Sequence, residues 1–211
     1  VRLYLASTSP ARLALLRAAG IEPITVPSNV DEPATVAAAS TEGELSAEAM
    51  VQLLARAKAE AVVGKLVDGK PIDGFIIGGD SAFELDGAIY GKPHFPEVAR
   101  ERWEKQRGRT GRLYSGHWLI DHRGGTVGAA TGGVSVASVS FVDDLEDSEI
   151  DAYVASGEPL AVAGAFTIDS LGGPFIDRIE GDPSTVVGLS LPLLRKLVRK
   201  LGGDWTGLWN R

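Results

Sequence analysis

Apolar and polar positions fall into blocks that read, from the start of the chain, as strand, turn, helix and strand. Residues 3–6 are apolar and are followed by a hydroxyl-rich turn, Ser7-Thr8-Ser9-Pro10. Leu13, Leu15, Leu16 and Ala19 then form a helical stripe closed by Gly20. Ser9 has the chemistry of an N-cap, and Pro10 suits the first helical position, where its missing N–H costs nothing. Residues 21–26 complete the unit as a second strand. The stretch 27–43 shows no comparable period and is predicted to be a long loop, of a length more often functional than idle.

Farther along, residues 46–66 carry Met50, Leu53, Leu54, Ala57 and Ala61 at helical spacing, which predicts a helix with one apolar face. The run Phe75-Ile76-Ile77-Gly78-Gly79 ends abruptly on a carboxylate, Asp80. Phe83-Glu84-Leu85 and Ala88-Ile89-Tyr90 flank Asp86-Gly87, a strong hairpin-turn signal. The pattern then predicts a helix over 96–106 and two long strands over 112–142 around the turn His122-Arg123-Gly124-Gly125. A helix over 146–156, a strand over 175–179 and a closing helix over 191–201 follow, and Trp205 and Trp209 in the tail are expected to pack onto the body. No repeat, low-complexity block or linker divides the chain. These elements predict a single α/β domain over residues 1–211, in two lobes, with a mixed twisted sheet and flanking helices. The long hairpins speak against a purely parallel, doubly wound sheet.

Composition narrows the classes of function. The 211 residues are 44% hydrophobic and 23% charged, the balance of an ordinary globular protein. The absence of cysteine excludes disulfides, thiolate catalysis and cysteine-bound zinc, and fits a reducing compartment. No apolar run reaches the length of a membrane span, and Val1-Arg2-Leu3-Tyr4-Leu5 is too short for the core of a signal peptide. The cytoplasm is therefore the expected location, with no membrane partner. A net charge of −7 argues against nucleic-acid binding, which needs a broad basic surface. It does not argue against a nucleotide, because a small polyphosphate needs only a few cations converging in one place.

Several residues then stand out as chemistry. A strand that ends in hydroxyls and turns into a helix offers free backbone N–H groups at the positive end of the helix dipole. Arg12 adds a fixed charge there. Plain capping is the simpler reading of the turn alone, but a cation at a helix N-terminus needs an anion to compensate it. Asp80 follows two glycines that permit close approach to the backbone, and a carboxylate at the end of a buried strand is costly without a metal, a cation or a catalytic role. A turn aspartate is the equal alternative. Lys92 stands in Gly91-Lys92-Pro93, whose spacing and proline exclude a Walker A loop. Lys58, four residues after Leu54, borders the apolar face of its helix and either enters a cleft or snorkels at the surface, and Arg56 lies on the same helix. Asp31 and Glu32 offer hard oxygen donors that suit, with Asp80, a magnesium ion bridging to phosphates. His94, His117 and His122 share no ligand spacing, and no nucleophile motif of a Ser/His/Asp enzyme is present.

These segments occur in the order of a known family. From residue 3 to about 201 the chain resembles the Maf family of nucleoside triphosphate pyrophosphatases, whose fold is related to that of inosine triphosphate pyrophosphatase. Leu5-Ala6-Ser7-Thr8-Ser9-Pro10-Ala11-Arg12 is similar to the family's opening L-A-S-x-S-P-R-R. Ser28-Asn29-Val30-Asp31-Glu32 corresponds to its acidic loop, and Leu54-Ala55-Arg56-Ala57-Lys58-Ala59 to its L-A-x-x-K-A helix. Gly78-Gly79-Asp80-Ser81 resembles G-A-D-T, with Leu85-Asp86-Gly87, Gly91-Lys92-Pro93 and Arg107-Gly108-Arg109-Thr110 after it. The stretch 153–160, Ala163-Gly164-Ala165-Phe166, Glu180-Gly181-Asp182 and Val187-Gly188-Leu189 complete the set.

The resemblance implies two lobes around a deep central cleft, a homodimer, and a divalent metal, Mg²⁺ or Mn²⁺. It implies metal-dependent hydrolysis of nucleoside triphosphates to monophosphate and pyrophosphate, with water attacking the α-phosphate. Asp80 would be the general base or hold a metal-bound water, and Asp31 would join it at the metal. Ser7, Ser9, Arg12, Lys58 and Lys92 would bind the phosphates. Ala11, Ser81 and Asp169 stand where the family has arginine, threonine and glutamine, positions that go with base selection: dTTP and UTP in one branch, 7-methyl-GTP in another. An ionised Asp169 only accepts hydrogen bonds, so it cannot make the paired donor–acceptor contact that a glutamine makes to a pyrimidine edge. Among common nucleotides dTTP and UTP are the expected substrates, with non-standard or modified ones left open. Two other classes of function stand beside this one. The first is a regulator of septum formation acting through protein or nucleotide binding; the second is a sugar-nucleotide or phosphate-binding enzyme of another α/β type.

Overall fold

The computed structural model describes residues 1–41 and 43–211. The chain folds as two compact units: Val1–Asp80, Ser115–Ser135 and Gly188–Arg211 form the first, Ser81–Tyr114 and Val136–Val187 the second.

The opening segment gives β1 (Leu3–Leu5), α1 (Pro10–Ala18) and β2 (Ile24–Thr25). The second strand is shorter than the apolar run 21–26; Ile24 and Thr25 alone pair, with Tyr4 and Leu5, and Pro23 has no N–H to offer a ladder. The span 27–43, predicted to be a loop, instead contains α2 (Glu32–Ala39). Asp31 caps it, Oδ1 accepting from the Ala34 amide at 3.0 Å, but none of its residues is buried, so no apolar stripe marks it. The next helix, α3 (Ala47–Glu60), stops short of residue 66. The chain turns instead into a hairpin, β3 (Leu66–Val67) and β4 (Lys70–Pro71), around Asp68-Gly69.

The remaining elements are β5 (Gly74–Leu85), β6 (Ala88–Tyr90), α4 (Pro96–Gln106), β7 (Thr110–His122), β8 (Ala130–Phe141), α5 (Asp147–Ala155), β9 (Ile176–Glu180), α6 (Pro183–Val187) and α7 (Leu191–Lys200). Hydrogen bonds order the main sheet β2-β1-β5-β7-β8-β9, with β6 beside β5. Its pairings are mixed, as the pattern predicts: β1 runs parallel to β2 and β5, while β6 and β9 run antiparallel to β5 and β8.

In the first unit both faces of the sheet are covered, and the period-2 alternation of the strands sorts side chains between them. Leu3, Leu5, Phe75 and Ile77 pack with Leu16 of α1 and Leu194 and Leu197 of α7. Tyr4, Ala6 and Ile76 pack with Ala59 of α3 and with Val62. Trp205 joins the first of these clusters, and Trp209, though exposed, has its ring over Gly20. In the second unit Trp103 meets Phe141, Tyr153 and Phe175 edge to face, and its indole Nε1 donates to the Ala165 carbonyl at 2.7 Å. Among the described residues no helix is long and apolar enough to cross a membrane.

The packing of α3 is what positions chemistry. Its buried residues are Ala47, Val51, Leu54, Ala55, Lys58 and Ala59, not the Met50–Leu53–Leu54–Ala57–Ala61 face that the larger apolar residues suggest. The helix lies so close to the strands that small residues face inward: a Cβ on Gly78 of β5 would stand 2.2 Å from the Ala55 carbonyl oxygen, and one on Gly116 of β7 2.3 Å from that of Val51. Two strand glycines thus let the backbones touch, and Lys58 is carried into the interior with the small residues.

Gly78→Ala is accordingly expected to push α3 outward and to lower the unfolding free energy by about 1–3 kcal/mol. Urea denaturation of the variant tests this; an unchanged midpoint would contradict the close approach.

Candidate functional site

The buried charged side chains of the first unit, Arg12, Lys58 and Asp80, lie in two places. The first is the turn into α1. Ser9 caps the helix, its Oγ accepting from the Arg12 amide at 3.4 Å, and the Ser7 Oγ accepts from the Ser9 amide at 3.1 Å. The Arg12 side chain does not run outward from this first turn. It is buried, with Nε donating to the Gly188 carbonyl at 2.8 Å and Nη1 to Ser7 Oγ at 3.3 Å. Gly79 makes room for it: a Cβ there would lie 3.3 Å from Arg12 Nε. A buried guanidinium beside the amides of a helix N-terminus is a concentrated positive field.

The second place is the middle of β5, which does not stop at the carboxylate but continues through Asp80 to Leu85. Asp80 is buried, and the Lys58 ammonium donates to its Oδ1 at 2.7 Å. The same ammonium is 2.7 Å from Glu32 Oε1, at the first position of α2. Lys58 is therefore neither a surface lysine nor at the border of its helix face; its side chain is 10% exposed, between two carboxylates. Burial pushes the Asp80 carboxyl above the ordinary aspartate value, opposed by the charges of Lys58 and Arg12, while Glu32 adds to the rise. Burial lowers the Arg12 guanidinium in turn, opposed by Asp80 and Glu32. The four groups share one electrostatic environment in which the cations favour the charged Asp80 and the carboxylates favour the charged Arg12, while Glu32 opposes the charge of Asp80. Glu32 is 46% exposed, but removing one of the buried pair Lys58 and Asp80 leaves the other charge uncompensated, a loss of about 3–5 kcal/mol.

Five of the residues singled out in the sequence, Ser7, Ser9, Arg12, Lys58 and Asp80, are accounted for in these two places. Asp31 is exposed and turned to its own helix, where it caps α2 one residue before Glu32. Glu32 is the carboxylate that joins Asp80 around Lys58. Ala11 is half-buried in the first turn of α1. Lys92, Ser81 and Asp169 belong to the second unit, Lys92 and Asp169 exposed and Ser81 half-buried. Asp169 lies in a segment organised by Glu158, which accepts from the Tyr153 hydroxyl at 2.9 Å, the Ser170 hydroxyl at 2.7 Å, the amides of Leu171 and Gly172, and the Thr167 hydroxyl. Burial alone would raise the Glu158 carboxyl; these donors hold it down at about 2. The Gly188 carbonyl escapes residue-by-residue reading, since a backbone acceptor carries no side-chain signal.

Among the described residues no group of three or more His, Asp or Glu side chains is gathered as a metal site. Glu32 and Asp80 are the two carboxylates already converging on one cation. That donor set fits a divalent ion of the magnesium type, which takes one or two protein carboxylates and completes its shell with substrate phosphates and water.

Residues 2–201 match the protein family described as Maf-like protein. A relative from Leifsonia xyli, named nucleoside triphosphate pyrophosphatase, is 75% identical over 100% of this chain and 98% of its own. Relatives of the same name from Salinispora tropica and Nocardia farcinica are 52% and 51% identical, covering 100% and 98% of this chain and 88% and 96% of theirs.

The electrostatics can be tested without substrate. In a carbon-13 NMR titration Asp80 is expected to titrate above the ordinary aspartate value, and Lys58→Met, which removes the largest charge opposing burial, is expected to move it higher still. Titration at the ordinary value, or no change in the variant, would contradict the coupling.

Proposed function

The chain belongs to the Maf family, and from that premise we propose that it hydrolyses nucleoside 5′-triphosphates to nucleoside monophosphate and pyrophosphate. The observation that carries the reading is the Lys58 ammonium held at 2.7 Å by both Glu32 and Asp80, beside the buried Arg12. Phosphoryl chemistry needs mainly fixed positive charge and a base aimed at water, and this set supplies both. The names of the curated relatives support the same reaction.

In this reading the amides of the turn into α1, with Ser7, Ser9 and Arg12, hold the triphosphate. Asp80 accepts a proton from water as the water oxygen attacks the α-phosphorus, and the bond between that phosphorus and the bridging oxygen breaks to release pyrophosphate. A carboxyl raised by burial is a stronger base than an ordinary aspartate, which suits the step. Lys58 fixes the carboxylate's orientation and offsets charge on the phosphates. Glu32 and Asp80 would hold a divalent ion, Mg²⁺ or Mn²⁺, which when bound adds positive charge at the phosphates and lowers the pKa of water. Asp31 enters this arrangement by capping the helix that presents Glu32. Lys92 is a further phosphate-binding residue, and Ala11, Ser81 and Asp169 bear on base selection, assignments that rest on the resemblance. The homodimer and the cytoplasmic location belong to the same proposal.

Asp80→Asn is expected to abolish pyrophosphate release from a nucleoside triphosphate with Mg²⁺ or Mn²⁺. Full activity in that variant, or orthophosphate as the wild-type product, would overturn the reading. Screened against common and modified nucleotides in the same assay, Asp169→Gln and Ala11→Arg are expected to shift preference toward dTTP and UTP; an unchanged ranking would remove their specificity role.

A further inference from the structure

His117 lies on β7, is completely buried, and has both ring nitrogens engaged. Nε2 is 2.8 Å from the Ser190 amide nitrogen and Nδ1 is 3.0 Å from the Ser115 carbonyl oxygen. An amide only donates and a carbonyl only accepts, so Nε2 is the bare acceptor and Nδ1 carries the hydrogen. The hydrogen bonds thus assign a neutral imidazole in one tautomer.

Ser190 is the N-cap of α7: its Oγ accepts from the Leu193 amide at 3.2 Å and its carbonyl from that of Leu194 at 2.9 Å. Ser190 is buried, and its own amide, as part of the helix entry, needs an acceptor from elsewhere. Two residues earlier Gly188, at φ 120°, turns its carbonyl onto Arg12 Nε. Leu189, between them, is packed in the core with Leu16 of α1. The packing of Leu189 and the acceptor nitrogen of His117 therefore both hold the turn 188–190.

We propose that His117 is a positioning residue: by accepting the Ser190 N–H it fixes the 188–190 turn, and through the Gly188 carbonyl it aims the Arg12 guanidinium. With Nε on Gly188 and Nη1 on Ser7, the planar fork of Arg12 is held at both nitrogens. The same stretch of β7 also seats α3: Gln52 Nε2 donates to the His117 carbonyl at 3.1 Å, next to the close contact at Gly116. The register of β7 thus ties the anchor of Arg12 to the helix carrying Lys58. The role rests on the reading that Arg12 grips the triphosphate.

Two amide substitutions of different reach separate positioning from bulk. Glutamine extends an oxygen to about where Nε2 stands, whereas asparagine reaches only as far as Nδ1 and leaves the Ser190 amide unmet. His117→Asn is expected to lower kcat/KM for pyrophosphate release by about 10–100-fold, the cost of a small misplacement of a binding group. His117→Gln is expected to recover most of it. In an Arg12→Ala background His117→Asn should cost less than about twofold more, because the group it positions is gone. Equal losses in Asn and Gln, or additive losses with Arg12→Ala, would overturn the proposal. Should the Asn variant not fold, nitrogen-15 NMR of the wild type and the Gln variant decides. An Nδ1–H tautomer in the wild type and a slowly exchanging Arg12 Nε–H in both are expected; the opposite tautomer, or fast exchange, overturns it. A wild type that releases no pyrophosphate would sink the proposed reaction instead, leaving the tautomer and exchange results to speak for the geometry.

Discussion

A lysine with only 10% of its side-chain surface exposed is costly to fold unless anions face it, and here Glu32 and Asp80 do so at 2.7 Å each. Much of the first unit is arranged to meet that condition. Gly78 and Gly116 bring α3 onto the strands so that Lys58 enters the interior. Asp31 starts α2 at the residue before Glu32, which places that carboxylate on the ammonium. β5 carries Asp80 in its interior, its carboxyl raised by burial and restrained by the nearby cations. Arg12 answers the same carboxylates from the other helix.

Much of this was legible in the sequence, and the gaps have physical causes. The hydroxyl turn into α1 and the Asp86-Gly87 hairpin appear where local rules put them, since each is a short-range signal, whereas the run read as ending at Asp80 continues through it to Leu85 as one strand. α2 did not, because a helix that buries nothing has no apolar stripe, although Asp31 and Pro33 were present as start signals. The inward face of α3 was misread because large apolar residues were weighed above small ones. Close backbone packing reverses that weighting, and its cause, the strand glycines, lies far away in the chain. Lys58 had two readings in the sequence alone, and only its burial between two carboxylates decides between them.

The chemistry of the set follows from its balance. Lys58 is tied to Asp80 and to the partly exposed Glu32, and Arg12 to Gly188 and Ser7, so these groups are oriented before any ligand arrives, the condition under which electrostatic stabilisation costs no reorganisation. A triphosphate brings more negative charge than the set can leave unanswered, which is why a divalent ion with carboxylate ligands fits the account. Nothing in that balance depends on the base. In the proposed reading the reaction and the choice of nucleotide are therefore separate problems, with Asp169, exposed in the second unit, bearing only on the latter.

The central claim is that this set directs water to the α-phosphorus of a nucleoside triphosphate. Hydrolysis in water enriched in oxygen-18, followed by phosphorus NMR and mass spectrometry of the products, tests it most directly. The account predicts the label in the nucleoside monophosphate and none in the pyrophosphate. Label in the pyrophosphate, or in free orthophosphate, would contradict it.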